Sequence, residues 1–330
     1  MGDENRLKDV VIITVLASES DVQHYSKCLY SILKYPPRCE IDIWIVDNTK
    51  KNESVDEIVE KNPEVHVLKN EKIAGFSENN NAAIKATESK YVFILNPDTI
   101  IGKGTIDQFY KYMENEADTA VVSCSHVDEC GIPYGSSNTF PSAFSIFIQM
   151  LRIKRLVPIS VIRIMAKWKW TRILGKSIRT HLDNFNERGD EIREVDWVGG
   201  AAMFVRRNLL EKVGLLDEKF FLYFEDVDWC YRFKMQGYKI IHITGLTLTH
   251  ISGEKRDLPE SEMVTKEKTK SVLWYFTKNR GSAYSLIVRI SSIVALSMRL
   301  LIEIVIAPFQ VQKGKIKTTL IMLKVFIGIN

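Results

Sequence analysis

The first 125 residues alternate short apolar runs with amphipathic stretches. Residues 10–16 form a β-branched run, which predicts a strand. Residues 21–34 follow with Val22, Tyr25, Leu29 and Ile32 at helical spacing on one face. The same reading predicts strands at 41–46, 65–68, 91–95 and 120–123, and helices around 55–59, 79–87 and 105–115. Strands alternating with helices predict an α/β, Rossmann-like, mostly parallel sheet with helices on both faces. A second ordered block spans 194–250, with a helix predicted at 227–236.

Ligands of such sheets bind at the carboxyl ends of the strands. Two polar groups stand there: Asp47-Asn48 after the second strand and Asn96-Pro97-Asp98 after the fourth. Asn-Pro-Asp is also ordinary turn chemistry, because proline cannot continue the strand ladder. Its position, rather than its composition, makes Asp98 a candidate ligand.

The chain of 330 residues is 45% hydrophobic and 26% charged, enough to bury a substantial core. The net charge of +4 gives no overall signal for nucleic-acid binding, but its distribution is uneven. Residues 152–179 and the last quarter of the chain are basic and apolar together. Five cysteines without a CxxC pair fit a reducing compartment better than a disulfide framework or a zinc site. The polar start carries no apolar signal segment, so a cytoplasmic location is expected.

The tail has a pattern of its own. Over residues 283–309 an apolar sequence carries Ser285, Arg289, Ser292, Arg299 and Glu303, spaced so that all share one helical face. One polar stripe beside a broad apolar face predicts a helix lying in a membrane interface. Lys313, Lys315, Lys317 and Lys324 among apolar residues would suit an anionic membrane surface. The alternatives are a helical hairpin docked on its own protein, a homo-oligomer through these helices, and a true span.

The densest chemistry lies in Val195-Asp-Trp-Val-Gly-Gly-Ala201 and Phe220-Phe-Leu-Tyr-Phe-Glu-Asp-Val-Asp228. Glu225, Asp226 and Asp228 are embedded among aromatic residues, where carboxylates are rare unless paired, metal-bound or used. They also suit the first turn of a helix, whose dipole favours acids. Gly199 and Gly200 allow close backbone approach.

Together these marks resemble family-2 glycosyltransferases of the GT-A fold, most of all their rhamnosyltransferase-like branch. The resemblance covers about residues 8–255 and is most specific in the second cluster. It implies a nucleotide-sugar-binding half at 8–120, a basic aromatic insert at 140–190, an acceptor half at 194–255 and an amphipathic tail at 256–330. By motif, Asp98 would ligate Mn²⁺ or Mg²⁺ on the donor diphosphate, with Asn96 as an oxygen or ribose contact and His250 completing the metal shell. Thr14, Leu16, Asp47, Gly75 and Asn81 would contact the nucleotide sugar, and Trp197, Gly199 and Gly200 would line the acceptor side. Asp226 would be the general base, with Glu225 its nearest competitor. Asp228 would cap the helix or pair with Arg232.

The sequence departs from the family at Thr14-Val-Leu-Ala17, where an aromatic and an Asn are usual, and at Ile73, where Asn is usual. The function implied is inverting, metal-dependent transfer of a sugar to a lipid-linked or polysaccharide acceptor at the cytoplasmic membrane face, with dTDP-L-rhamnose as leading donor. Alternatives are a UDP-hexose donor, or an inactive homologue acting as an assembly partner. A nucleotidyltransferase would need a Gly-rich basic loop after the first strand, where Ala17-Ser-Glu-Ser-Asp21 stands instead.

Overall fold

The computed structural model describes residues 7–49, 53–152, 191–251, 261–306 and 313–328. The first strand, β1 (Lys8–Leu16), leads into α1 (Glu19–Lys34), whose first turn is capped by the Ser18 hydroxyl accepting from the Asp21 N–H. Next come β2 (Ile41–Asp47), α2 (Glu53–Lys61), β3 (Val65–Lys69), α3 (Phe76–Ala86) and β4 (Ser89–Leu95). β5 (Thr99–Ile101), α4 (Thr105–Asn115) and β6 (Thr119–Val127) complete the first half. The predicted elements are present, most of them extended by one to three residues. α3 starts at Phe76 rather than 79, because Gly75 in extended backbone serves as its N-cap.

Four short strands follow, β7 (Pro133–Tyr134) paired with β6, β8 (Ser137–Asn138) paired with β10 (Trp197–Val198), and β9 (Ile192–Val195) paired with β12; the large sheet runs β3-β2-β1-β4-β11-β6-β12-β5, with β11 at Ala202–Arg206 and β12 at Lys239–His250. Strands β3, β2, β1 and β4 pair in parallel, as the alternating pattern predicts. Beyond β4 the sheet is mixed: β11 inserts antiparallel to both β4 and β6, and β12 is parallel to β6. Local alternation carries no trace of this, since β11 lies more than a hundred residues after β4.

Two cores sandwich the sheet. One joins the even-numbered side chains of β1 to α1 and α4, and the other joins the odd-numbered ones to α3 and to α6 (Glu225–Met235). A third core joins α5 (Ala143–Leu151) and α6 to three tail helices, α7 (Glu262–Arg280), α8 (Ser282–Ile306) and α9 (Lys313–Ile327). Most of the basic aromatic insert, including Trp168-Lys-Trp170, lies outside the described residues.

In α8 the predicted stripe is real but faces inward. Ser285, Ser292 and Arg299 are buried, and Arg299 donates to Glu303, which in turn accepts from Thr319 of α9. Leu286, Ile287, Ile290, Val294, Met298, Leu301 and Ile302 are exposed instead. Among the described residues this is the one helix long and apolar enough to cross a membrane, at Ser282–Val305 with mean hydropathy 1.8.

Candidate active site

Backbone register brings the candidates to one sheet edge. β1 ends at Leu16 opposite Asp47, and the Asn48 N–H donates to the Leu16 carbonyl at 2.9 Å. β4 ends opposite Ala202, and the Asn96 N–H donates to the Ala201 carbonyl at 2.9 Å. The next residue back, Gly200, donates its N–H to Asp226 Oδ2 at 2.9 Å. Asn96-Pro97-Asp98 and the Glu225-Asp226 pair, more than 120 residues apart in sequence, are therefore joined through two adjacent residues, Gly200 and Ala201.

Asp98 sits in the turn between β4 and β5, and β5 pairs with the end of β12, where His250 lies. His250 Nε2 is 3.0 Å from Asp98 Oδ1, and the Ile251 N–H donates to the Asp98 carbonyl at 2.8 Å. The strand pairing thus fixes the pair from both sides. No group of three His, Cys, Asp or Glu side chains able to hold a metal is found among the described residues. A hard divalent ion that takes phosphate oxygens and water needs only one or two carboxylates. The Asp98–His250 donor set fits an ion of that kind, shared with a diphosphate.

Asp226 lies in the first turn of α6. Its Oδ1 accepts from the Val227 N–H and its Oδ2 from Gly200, so each oxygen keeps a lone pair for another donor. Burial raises its pKa to about 6, against the lowering effect of these N–H bonds. Glu225 beside it is buried, and its Oε2 has no hydrogen-bond partner. Burial first, and the neighbouring Asp226 charge second, push its pKa well above the ordinary carboxylate range. Both adjacent carboxylates thus favour the neutral acid more than a free carboxylate does, by burial in each case and, for Glu225, by the neighbouring Asp226 charge as well. Asp228 is fully buried and pairs with Arg232 at 2.8 Å, and also with Lys278 at 2.9 Å.

Several candidates have other work. Leu16 is buried in the core beneath α1, so its side chain is withdrawn from the edge where a base would rest. Thr14 is also buried on that side, with a hydroxyl that has no partner. Asn81 is buried and spends both N–H donors on the Leu216 carbonyl and Glu218 while accepting from the Leu216 N–H. It clamps the 214–218 turn rather than offering an amide to the edge. Gly75 makes room for backbone: a Cβ there would lie 2.7 Å from the Phe221 carbonyl oxygen. Trp197 is half-buried and anchors through Nε1 to the Thr139 carbonyl, while Gly199 donates its N–H to Ser136. Asp47 remains at the edge, with Oδ1 accepting from the Thr49 N–H and hydroxyl.

Sequence reasoning missed α7. Lys278 and Asn279 both donate to Asp228, Trp274 and Lys278 both donate to Asp217, and the Ser271 hydroxyl donates to the Leu222 carbonyl. Residues 262–280 therefore pack with the catalytic half, inside the stretch that the sequence assigns to the tail.

The chain is 25% identical over 185 residues to the rhamnosyltransferase WbbL of Escherichia coli (strain K12), covering 54% of this chain and 61% of that protein. It is 22% identical over 242 residues to the low-salt glycan biosynthesis hexosyltransferase Agl10 of Haloferax volcanii, covering 72% and 65%. A third relative, at 30% identity over 94 residues, is the N-acetylglucosaminyl-diphospho-decaprenol L-rhamnosyltransferase of Mycobacterium tuberculosis, with 28% of this chain and 29% of that one covered. The matches thus span less than two thirds of each of these relatives. In structure, the chain superposes on the mannosyltransferase PcManGT of Pyrobaculum calidifontis, solved with GDP-Man and Mn²⁺, at a TM-score of 0.56 and 13% identity, over 98% of this chain and 88% of that one. It superposes on GalNAc-T7, solved with UDP, GalNAc and Mn²⁺, at a TM-score of 0.54 and 14% identity, over 85% and 52%. Both likenesses establish the GT-A fold. The family described as glycosyltransferase-like family 2 matches residues 10–280, and the chain belongs to it.

Proposed function

We propose that the protein is an inverting glycosyltransferase that moves a sugar from a nucleoside diphosphate to an acceptor hydroxyl. The observation that carries this reading is the link Asn96–Ala201–Gly200–Asp226, which sets a cation-binding corner beside a carboxylate that titrates near neutrality. Asp226 accepts the proton of the acceptor hydroxyl as that oxygen bonds to the anomeric carbon and the bond to the diphosphate breaks. Burial of Glu225 disfavours a second negative charge beside the base. A divalent ion at Asp98 and His250 would neutralise charge on the departing diphosphate. Asp47 is the contact for base or ribose.

Rhamnose is the sugar favoured by the names of two relatives, here taken as dTDP-L-rhamnose, with a UDP-hexose as the competing donor. The outward apolar face of α8, with the exposed apolar Leu320 and Ile327 of α9, supports a site of action on a membrane and a lipid-linked acceptor. A thermal-shift screen of nucleotide sugars with and without Mn²⁺ tests the reading. Selective stabilisation by one donor, dependent on the ion, is expected; no stabilisation by any nucleoside diphosphate would overturn it.

A further inference from the structure

Tyr223 and Phe224, the two residues before Glu225, both have left-handed backbone, with φ of 67° and 71°. Two consecutive residues with side chains rarely adopt this region, and neither is glycine. The Tyr223 ring is 38% exposed, so burial of that ring does little to offset the strain. Such strain persists only where the surroundings impose it.

Those surroundings come from two sides. From the donor half, the Phe76 N–H donates to the Phe221 carbonyl at 2.8 Å, in the space that Gly75 leaves open. From α7, the Ser271 hydroxyl donates to the Leu222 carbonyl at 3.0 Å. The Lys268 Nζ lies 4.4 Å from the centre of the Tyr223 ring, and the Tyr275 ring packs on Phe224 at 5.6 Å. One turn on, Lys278 and Asn279 hold Asp228. On its N-terminal side, Asp226 is joined to the anchored Phe221-Leu222 through this strained pair and Glu225.

We infer that the strained turn at Tyr223-Phe224, clamped by Ser271 of α7, aims the Asp226 carboxylate at Gly200, which makes Tyr223 and Ser271 positioning residues for the transfer. The inference rests on the reading of Asp226 as proton acceptor. If the turn relaxed to ordinary helical or extended backbone, the first turn of α6 would rotate. Asp226 would then leave the Gly200 N–H, while the Asp98–His250 corner, held by strands, would stay in place. The turn therefore affects the chemical step and leaves donor binding alone.

The test compares Tyr223→Gly, Ser271→Ala and Asp226→Asn in the full-length protein. Glycine occupies the left-handed region freely, so Tyr223→Gly should keep or raise the Tm while releasing the aim of Asp226. A misplacement of about 1 Å can cost on the order of 100-fold, so a fall in kcat of roughly 10- to 100-fold is expected, with donor KM within about twofold of the parent. Ser271→Ala should lower kcat in the same way. A parental kcat in Tyr223→Gly, or a joint loss of Tm and kcat, would overturn the inference, since the turn would then serve the fold only. Normal transfer by Asp226→Asn would instead remove the base assignment itself, and the inference with it.

Discussion

Asp98 and Asp226 are carboxylates at the same sheet edge, joined through Ala201 and Gly200, and their surroundings differ in kind. Asp98 faces the His250 imidazole at 3.0 Å and is fixed by paired strands on both sides. Asp226 stands beside a second carboxylate, on a helix entered through strained backbone. A corner built from rigid ladder with a neutral or cationic neighbour suits a cation that must be held still. A corner where burial raises the pKa suits a group that exchanges a proton. Position along the sheet edge is shared, and local electrostatics divides the labour.

The comparison is broken most severely at Asp226. Asp226→Asn should cost kcat roughly 10²- to 10⁴-fold, the range of general base catalysis, with nucleotide binding intact by calorimetry. Asp98→Ala should do the reverse, abolishing Mn²⁺-dependent nucleotide binding; an unchanged titration would exclude a metal role. His250→Ala should weaken that binding by about 10- to 100-fold, because one ligand of the pair remains.

The pH dependence sharpens the contrast. Activity should rise as pH increases through about 6, where Asp226 ionises. Stability should move the other way. Both carboxylates have folded pKa values raised above the unfolded ones, so their contribution is fully present below about pH 4 and is lost as pH rises, for Asp226 through about 6. Glu225→Gln, which imitates the protonated acid, should retain most activity and leave the acid limb of the rate profile near pH 6, because burial rather than a Glu225 charge sets it.

The smallest effect on activity, yet a large one on the fold, is expected in the tail. Arg299→Ala removes one partner of a buried pair and should cost about 3–5 kcal/mol in chemical denaturation. Ile290→Glu with Leu301→Glu should leave the fold within about 0.5 kcal/mol per site, since both side chains are exposed. The double variant should lose sedimentation with anionic liposomes; full retention would point to a protein partner for that face.

The legible parts of the molecule were those encoded by short-range pattern. β-branched runs placed the parallel strands, and their ends placed Asp47 and Asp98 at one edge. Asp228 with Arg232 was legible because helical spacing of four brings them together. At Asn81 and Leu16 the motif marks a position, and the packing, which no local pattern carries, decides which way the side chain points. Periodicity located the stripe on α8, but its direction depends on α9 and α5, which no local pattern reveals. Ser271, Lys278 and Asn279 act across some fifty residues, and their side chains look like an ordinary polar helix face.

Gly281, with φ of 85°, is a one-residue joint between α7, which holds the Tyr223-Phe224 turn, and α8, whose outer face is mostly apolar. A joint this short has little slack. Thr277 on one side of it and Ser285 on the other are hydrogen-bonded at 2.9 Å, which stiffens it further. Load on the outer helix is therefore passed along the hairpin to the turn that aims Asp226. Cutting the chain at this joint to obtain a water-soluble enzyme would remove the counterweight of that lever, and the rate of such a fragment would understate that of the whole protein.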